Sequence, residues 1–260
     1  MIKETGNLYK FDKDGYLDAD CNHNPLPTKW IEAVSFVVAN YDKTHIHSIY
    51  ARGSVASGNV YDNISDIDLI LVYNIETHIK DIYPSKNDLK EYHNKLEELT
   101  MNMYPFVAGV DFGRPLDSKF IRSHIEFAIK HLSKWLHGIN LQESINRFKQ
   151  EDIPLPYTNY QESLDHFEQD KRDSKWMAKR ILRVGFILVS KLTEENVWTR
   201  DLFYCYKIFS DHYTNKEPEM KRMLEIVISG ENTEQAKTDV LIFGYWLQHI
   251  LRDNKILEYE

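Results

Sequence analysis

Arg52-Gly53-Ser54 and, eleven residues after Ser54, Ser65-Asp66-Ile67-Asp68-Leu69 decide how this chain reads. The Gly-Ser pair closes an apolar segment, Ile46 to Ala51, that has the composition of a strand. Two aspartates separated by one residue then open a second apolar run, Leu69 to Tyr73. Alternate residues of a strand point to one face, so Asp66 and Asp68 are expected to project side by side. Two such carboxylates repel unless a cation sits between them. Paired carboxylate oxygens suit Mg²⁺, which completes its shell with water and substrate phosphates. Gly53 lets backbone approach backbone, and Ser54 offers a hydroxyl and an amide to a phosphate oxygen. The stretch therefore reads as a site for a metal-bound nucleoside triphosphate.

Strand, Gly-Ser turn, a glycine-bearing spacer (Gly58) and Asp-x-Asp on the next strand resemble the signature of the DNA polymerase β-like nucleotidyltransferase superfamily. The resemblance implies Asp66 and Asp68 as catalytic metal ligands, with Arg52, Gly53, Ser54 and Ser65 around the nucleotide. Superfamily members place a third Asp or Glu on a neighbouring strand, as metal ligand or as base for the attacking hydroxyl. Here Tyr104 to Phe112 reads as that strand, and Asp111, set between apolar residues, is the third catalytic candidate. A base works within hydrogen-bond reach of the hydroxyl it deprotonates. Glu98 and Asp117 fit the role less well, and an ion pair of Asp111 with Arg114 is the structural alternative.

Size and composition set the frame. At 260 residues the chain is long for one small domain. It is 42% hydrophobic and 28% charged, with 16 Tyr and no biased tract, which is ordinary for a globular protein. No apolar run approaches the ~18 residues that span a bilayer, and Met1 to Thr5 shows no secretory signal. Cys21 and Cys205 lie far apart without metal spacing, so a reduced, cytoplasmic protein is expected. The net charge of −8, with basic residues reading as interleaved, argues against an extended nucleic acid as partner. It fits a small acceptor, cationic ones included, steered into an acidic cleft.

Along the chain, residues 8–22 carry two short apolar pieces around Asp14-Gly15, a hairpin signal. Asp12, Asp14, Asp18 and Asp20 do not make an EF-hand loop, because His23 stands where the twelfth-position Glu belongs. A helix follows Thr28, through Trp30, Val34 and Val37. A Lys- and Glu-rich helix is expected from Asn87 to Met101, and another from about Asp117 to Leu136. Pro154 and Pro156 break a polar stretch. From Ser174 the pattern is helical to Arg252, with short breaks. His45, His47, His124 and His131 lack the partner pattern of a zinc site.

The organisation expected is an α/β (α+β) nucleotidyltransferase domain with a small mixed sheet over 1–120, followed by an all-α helical bundle over 121–260. This layout resembles the aminoglycoside adenylyltransferases of the streptomycin/spectinomycin type. The likeness extends, more loosely, to Lys179-Arg180-Ile181-Leu182-Arg183 and Thr199-Arg200-Asp201-Leu202. It implies Arg183 and Arg200 as phosphate partners, since guanidinium forks onto phosphate oxygens. Asp173 and Trp176 become candidate acceptor contacts. The activity implied is Mg²⁺-dependent transfer of a nucleoside monophosphate, AMP from ATP, to a hydroxyl of a small molecule. AMP transfer to a protein, as by antitoxin-like partners, and a catalytically silent nucleotide-binding regulator are the alternatives.

Overall fold

The computed structural model describes residues 6–26, 28–41, 43, 46–60, 67–73, 106–111, 119–154, 159–193 and 196–256. Along them run β1 (Tyr9–Lys10), α1 (Thr28–Ala39), β2 (Ile46–Arg52), α2 (Gly53–Ser57), β3 (Asp68–Tyr73), β4 (Phe106–Asp111), α3 (Lys119–Leu132) and β5 (Ser133–Gly138). Then follow α4 (Tyr160–Glu168), α5 (Ser174–Leu192), β6 (Val197–Trp198), α6 (Leu202–His212), α7 (Glu217–Ser229) and α8 (Glu234–Asp253). The helix expected over Asn87 to Met101 lies outside the described residues. No described helix is long and apolar enough to cross a membrane.

Contacts divide the chain into two compact units, Asp12–Pro154 and Met1–Phe11 with Leu155–Glu260. The first is built on a mixed sheet of order β4-β3-β2-β5, in which only β3 and β4 are parallel. Its strands are apolar on both sides because both faces are covered. Ile49, Ala51, Leu69 and Leu71 pack with Trp30, Ala33, Val34 and Val37 of α1. Their alternating neighbours Tyr50, Ile70 and Val72 pack with Ala128 and Ile129 of α3. The sequence-expected break near residue 120 is therefore not where the contacts divide.

The reason lies in one junction. Helical periodicity suggests a single helix from Asp117 to Leu136, yet α3 stops at Leu132 and the chain turns directly into β5. Ser133 Oγ donates to the Ala128 carbonyl at 2.8 Å. The buried Gln142 amide donates to the carbonyls of Ile129 (2.9 Å) and Ser133 (2.8 Å). These bonds satisfy carbonyls that the ended helix leaves open. Strand β5 then pairs antiparallel with β2, Arg52 opposite Ser133 and Ser48 opposite Gly138. Gly138 has φ +80°, and a Cβ there would stand 2.1 Å from the His47 carbonyl oxygen, so no other residue fits without moving backbone.

The expected N-terminal hairpin forms its turn and not its ladder. The Asp12 amide donates to the Tyr16 carbonyl (2.9 Å), and Asp12 Oδ1 accepts from the amides of Asp14 and Tyr16. Beyond the turn the arms part. Tyr9–Lys10 pairs antiparallel with Val197–Trp198 in the second unit, whereas Tyr16 bridges to Lys149 in the first.

The second unit is helical, apart from that two-stranded ribbon. Its core takes Leu164 from α4, Ile181, Leu182 and Leu188 from α5, Met223 from α7 and Val240 and Leu247 from α8. Phe209 of α6 lies among the rings of Tyr213, Phe243 and Trp246, with centroids 5.1–6.2 Å away. Helix α5 starts where expected, with Asp173 as N-cap.

Candidate functional site

The Gly-Ser turn is tightly held. Arg52 ends β2 in extended conformation, and Gly53 turns with φ +67° and opens a five-residue helix, stopped by Gly58 at φ +77°. The Ser54 carbonyl receives the Asn59 amide (3.0 Å) and the Ser57 hydroxyl (3.2 Å). Asn24 Nδ2 donates to the Ser57 carbonyl at 3.3 Å, closing the far end. Val55 and Ala56 are fully buried, which anchors the turn to the core.

Asp68 is the first residue of β3 and stands directly opposite Arg52. Its neighbours Ile67 and Leu69 are fully buried on the α1 side, so alternation turns Asp68 to the other face. Its carboxylate lies against the turn: a Cβ built on Gly53 would be 2.8 Å from Asp68 Oδ2. Two independent demands, positive φ and the adjacent carboxylate, thus fix glycine at 53. Asp66 and Ser65 lie outside the described residues. Among the described residues no group of three or more His, Cys, Asp or Glu could hold a metal ion.

Asp111 is not brought to this place. Strands β3 and β4 run parallel, with Asp68 opposite Phe106 and Tyr73 opposite Asp111. Asp111 is therefore five residues along from the Asp68 position, about 16 Å at ~3.3 Å per residue. A base must reach the reacting hydroxyl within a hydrogen bond. By this register Asp111 stands at the opposite end of the β3–β4 pair from Asp68.

In the helical unit, Arg183 and Arg200 do come together. Arg183 Nε donates to the Arg200 carbonyl at 3.4 Å. Both guanidinium charges act on Asp201, whose carboxyl is nevertheless raised above its ordinary range, chiefly by burial. Asp201 accepts from the Asn7 amide, and the Thr199 hydroxyl donates to the Asn7 carbonyl at 2.8 Å. This clamp on the N-terminal strand had no local signal in the sequence. Burial pushes the Cys205 thiol beside it up to about 12, so it stays protonated and is no nucleophile.

Asp173 and Trp176 have partners within the helical unit. Asp173 Oδ1 accepts from the Trp176 amide at 2.7 Å, the bond of a helix N-cap. The Trp176 ring carries two guanidinium groups, Arg180 at 4.6 Å and Arg172 at 5.1 Å from its centroid.

The first unit is a small mixed sheet with a Gly-Ser turn between two of its strands. Among solved structures the chain is similar to spectinomycin adenyltransferase AAD(9) from Enterococcus faecialis, solved with ATP and spectinomycin. The TM-score is 0.51 at 15% identity, covering 85% of this chain and 98% of that one. At that identity the likeness is one of fold. No family profile and no curated protein sequence matches the chain.

Proposed function

We propose that the chain is a magnesium-dependent nucleotidyltransferase that moves a nucleoside monophosphate, AMP from ATP, onto a hydroxyl of a small molecule. The observation that carries the proposal is the Asp68 carboxylate set against Gly53 of the Gly-Ser turn. It stands on a fold shared with an adenyltransferase solved with ATP.

The donor set fits magnesium: a carboxylate beside a hydroxyl-bearing turn offers only hard oxygen ligands. Asp68, with Asp66 two residues before it, would hold the ion. Bound there, magnesium would neutralise triphosphate charge and favour in-line displacement at the α-phosphorus. Gly53 leaves room for the Asp68 carboxylate to lie against the backbone of the turn. The Ser54 hydroxyl and nearby amides take the terminal phosphate oxygens, with Arg52 and Ser65 at the rim. Arg183 and Arg200 are the proposed phosphate partners, as guanidinium groups able to make charge-assisted bonds. The acceptor oxygen bonds to the α-phosphorus as the bond to the bridging oxygen breaks, pyrophosphate leaves, and the hydroxyl proton passes to solvent water. Asp111 is given no part in moving the acceptor's proton.

Pyrophosphate release from MgATP, followed across a panel of hydroxylated small molecules, tests the proposal. Release that needs an acceptor, stops with a chelator and is lost in Asp68→Asn supports it. Release that persists in Asp68→Asn defeats it.

A further inference from the structure

The helical unit carries a cleft of about 600 Å³ between α6 and α7, a size ordinary for a small-molecule site. Phe203 and Tyr206, one turn apart on α6, form an apolar wall, their ring centroids 6.3 Å apart at 58°. Such ring faces receive a further ring. Ser210, the next turn along, also lines the cleft. It is 7% exposed, and its Oγ has no hydrogen-bond partner among the described residues. A buried hydroxyl left unpaired destabilises the fold, and a ligand that pairs with it removes that penalty. Charged side chains also line the cleft. Lys207 and Asp211 satisfy each other at 3.0 Å. Glu217 and Lys221 form no such pair among the described residues, although Glu followed by Lys at i,i+4 is the favoured order on a helix. Glu217 Oε1 instead accepts from the Tyr206 hydroxyl at 2.5 Å. Burial and that carboxylate push the hydroxyl up to about 12, so it stays a donor. Glu217 Oε2 and the exposed Lys221 ammonium are left without a partner among the described residues.

We infer that this cleft binds a small zwitterion built on an aromatic ring: an aromatic α-amino acid whose ring bears a hydrogen-bond donor, as indole and phenol do. The ring lies along Phe203 and Tyr206. The ammonium meets Glu217 Oε2, and the carboxylate meets Lys221 Nζ. Cβ atoms four residues apart on a helix are about 5–6 Å apart, a short span that suits an amine and a carboxylate borne on one carbon. The ring donor is accepted by Ser210 Oγ. A ligand of single charge would leave either Glu217 or Lys221 unanswered. All of these residues belong to the helical unit, so the inference stands apart from the phosphate chemistry proposed at the Gly-Ser turn.

The probe is L-tryptophan, titrated calorimetrically at low ionic strength into the full-length chain without nucleotide. Tryptamine keeps the ring and the amine, and indole-3-propionate keeps the ring and the carboxylate. Tryptophan binding at least about tenfold tighter than either analogue supports the inference, and that comparison needs no variant. Lys221→Ala, at an exposed position, should weaken tryptophan at least about tenfold and leave tryptamine unchanged, because only the carboxylate loses its partner. An unchanged melting temperature shows that this variant is folded. Ser210→Ala should weaken tryptophan and leave L-phenylalanine, which has no ring donor, unaffected. No saturable binding of tryptophan, equal affinity for the three indoles, or unchanged tryptophan affinity in Lys221→Ala or Ser210→Ala overturns the inference.

Discussion

Asp68 Oδ2 lies 2.8 Å from the point where any side chain at Gly53 would begin, and Gly53 itself sits at φ +67°. Turn and carboxylate are thereby one construction. Gly53→Ala must strain the backbone and displace the carboxylate together. The backbone part costs about 1–2 kcal/mol. The variant is expected to melt several degrees lower and to lose at least about tenfold in pyrophosphate release. A variant that melts lower with full turnover would detach the carboxylate from catalysis.

Asp68→Asn keeps the size of the side chain and removes its charge. Turnover is expected to fall more than about 100-fold with an unchanged far-ultraviolet spectrum, because a charged metal ligand is lost. Magnesium-dependent nucleotide affinity should fall with it, as calorimetry with and without chelator will show.

Asp111→Asn is expected to change turnover by less than about threefold. The β3–β4 register puts the residue opposite Tyr73 and far from Asp68. A loss of 100-fold in kcat with unchanged KM for ATP would restore it as the base and refute the register argument.

Arg200→Ala should raise the dissociation constant of MgATP at least about tenfold, the effect of losing a charge-assisted contact worth roughly 1.5–3 kcal/mol. Arg200 also moderates the buried Asp201 carboxyl. Unchanged nucleotide affinity with a lowered melting temperature would confine Arg200 to that structural role.

His131 makes stability depend on pH. Its ring is buried between α3 and two loops, with Nδ1 at 2.8 Å from the Ala19 carbonyl and Nε2 accepting from the Phe148 amide at 3.2 Å. Burial, the leading cause, lowers its pKa from 6.5 to about 4. Between those values the unfolded chain takes the proton and the folded chain does not, so stability falls as pH drops through this window. The full loss is about 3 kcal/mol. Urea midpoints from pH 7 to pH 4 should show it, with a flatter profile in His131→Gln.

Some of this was legible in the sequence because its signals are local. Gly53 and Gly58 mark a turn, Asp68 interrupts an apolar run, and apolar spacing from Ser174 announces a helix. The direction of the third strand was not legible, since alternation identifies a strand and says nothing of its partner's register. The end of α3 was hidden because helical spacing runs on past Leu132, and the stop is made by Gln142, ten residues later. The hairpin misreading has the same origin: the partner of Tyr9 is Trp198.

That last pairing has a consequence for biosynthesis. The strand at residues 9–10 emerges from the ribosome early and finds its partner only when residues 197–198 follow. At 5–20 residues per second the delay is roughly 10–40 s. The α/β unit, whose sequence lies wholly between the two strands, has that interval to fold first. Nascent chains stalled before residue 197 should hold a protease-resistant core starting near Asp12, with the first eleven residues still open to cleavage. A circular permutant that joins the N-terminal segment directly to the helical unit would abolish the wait.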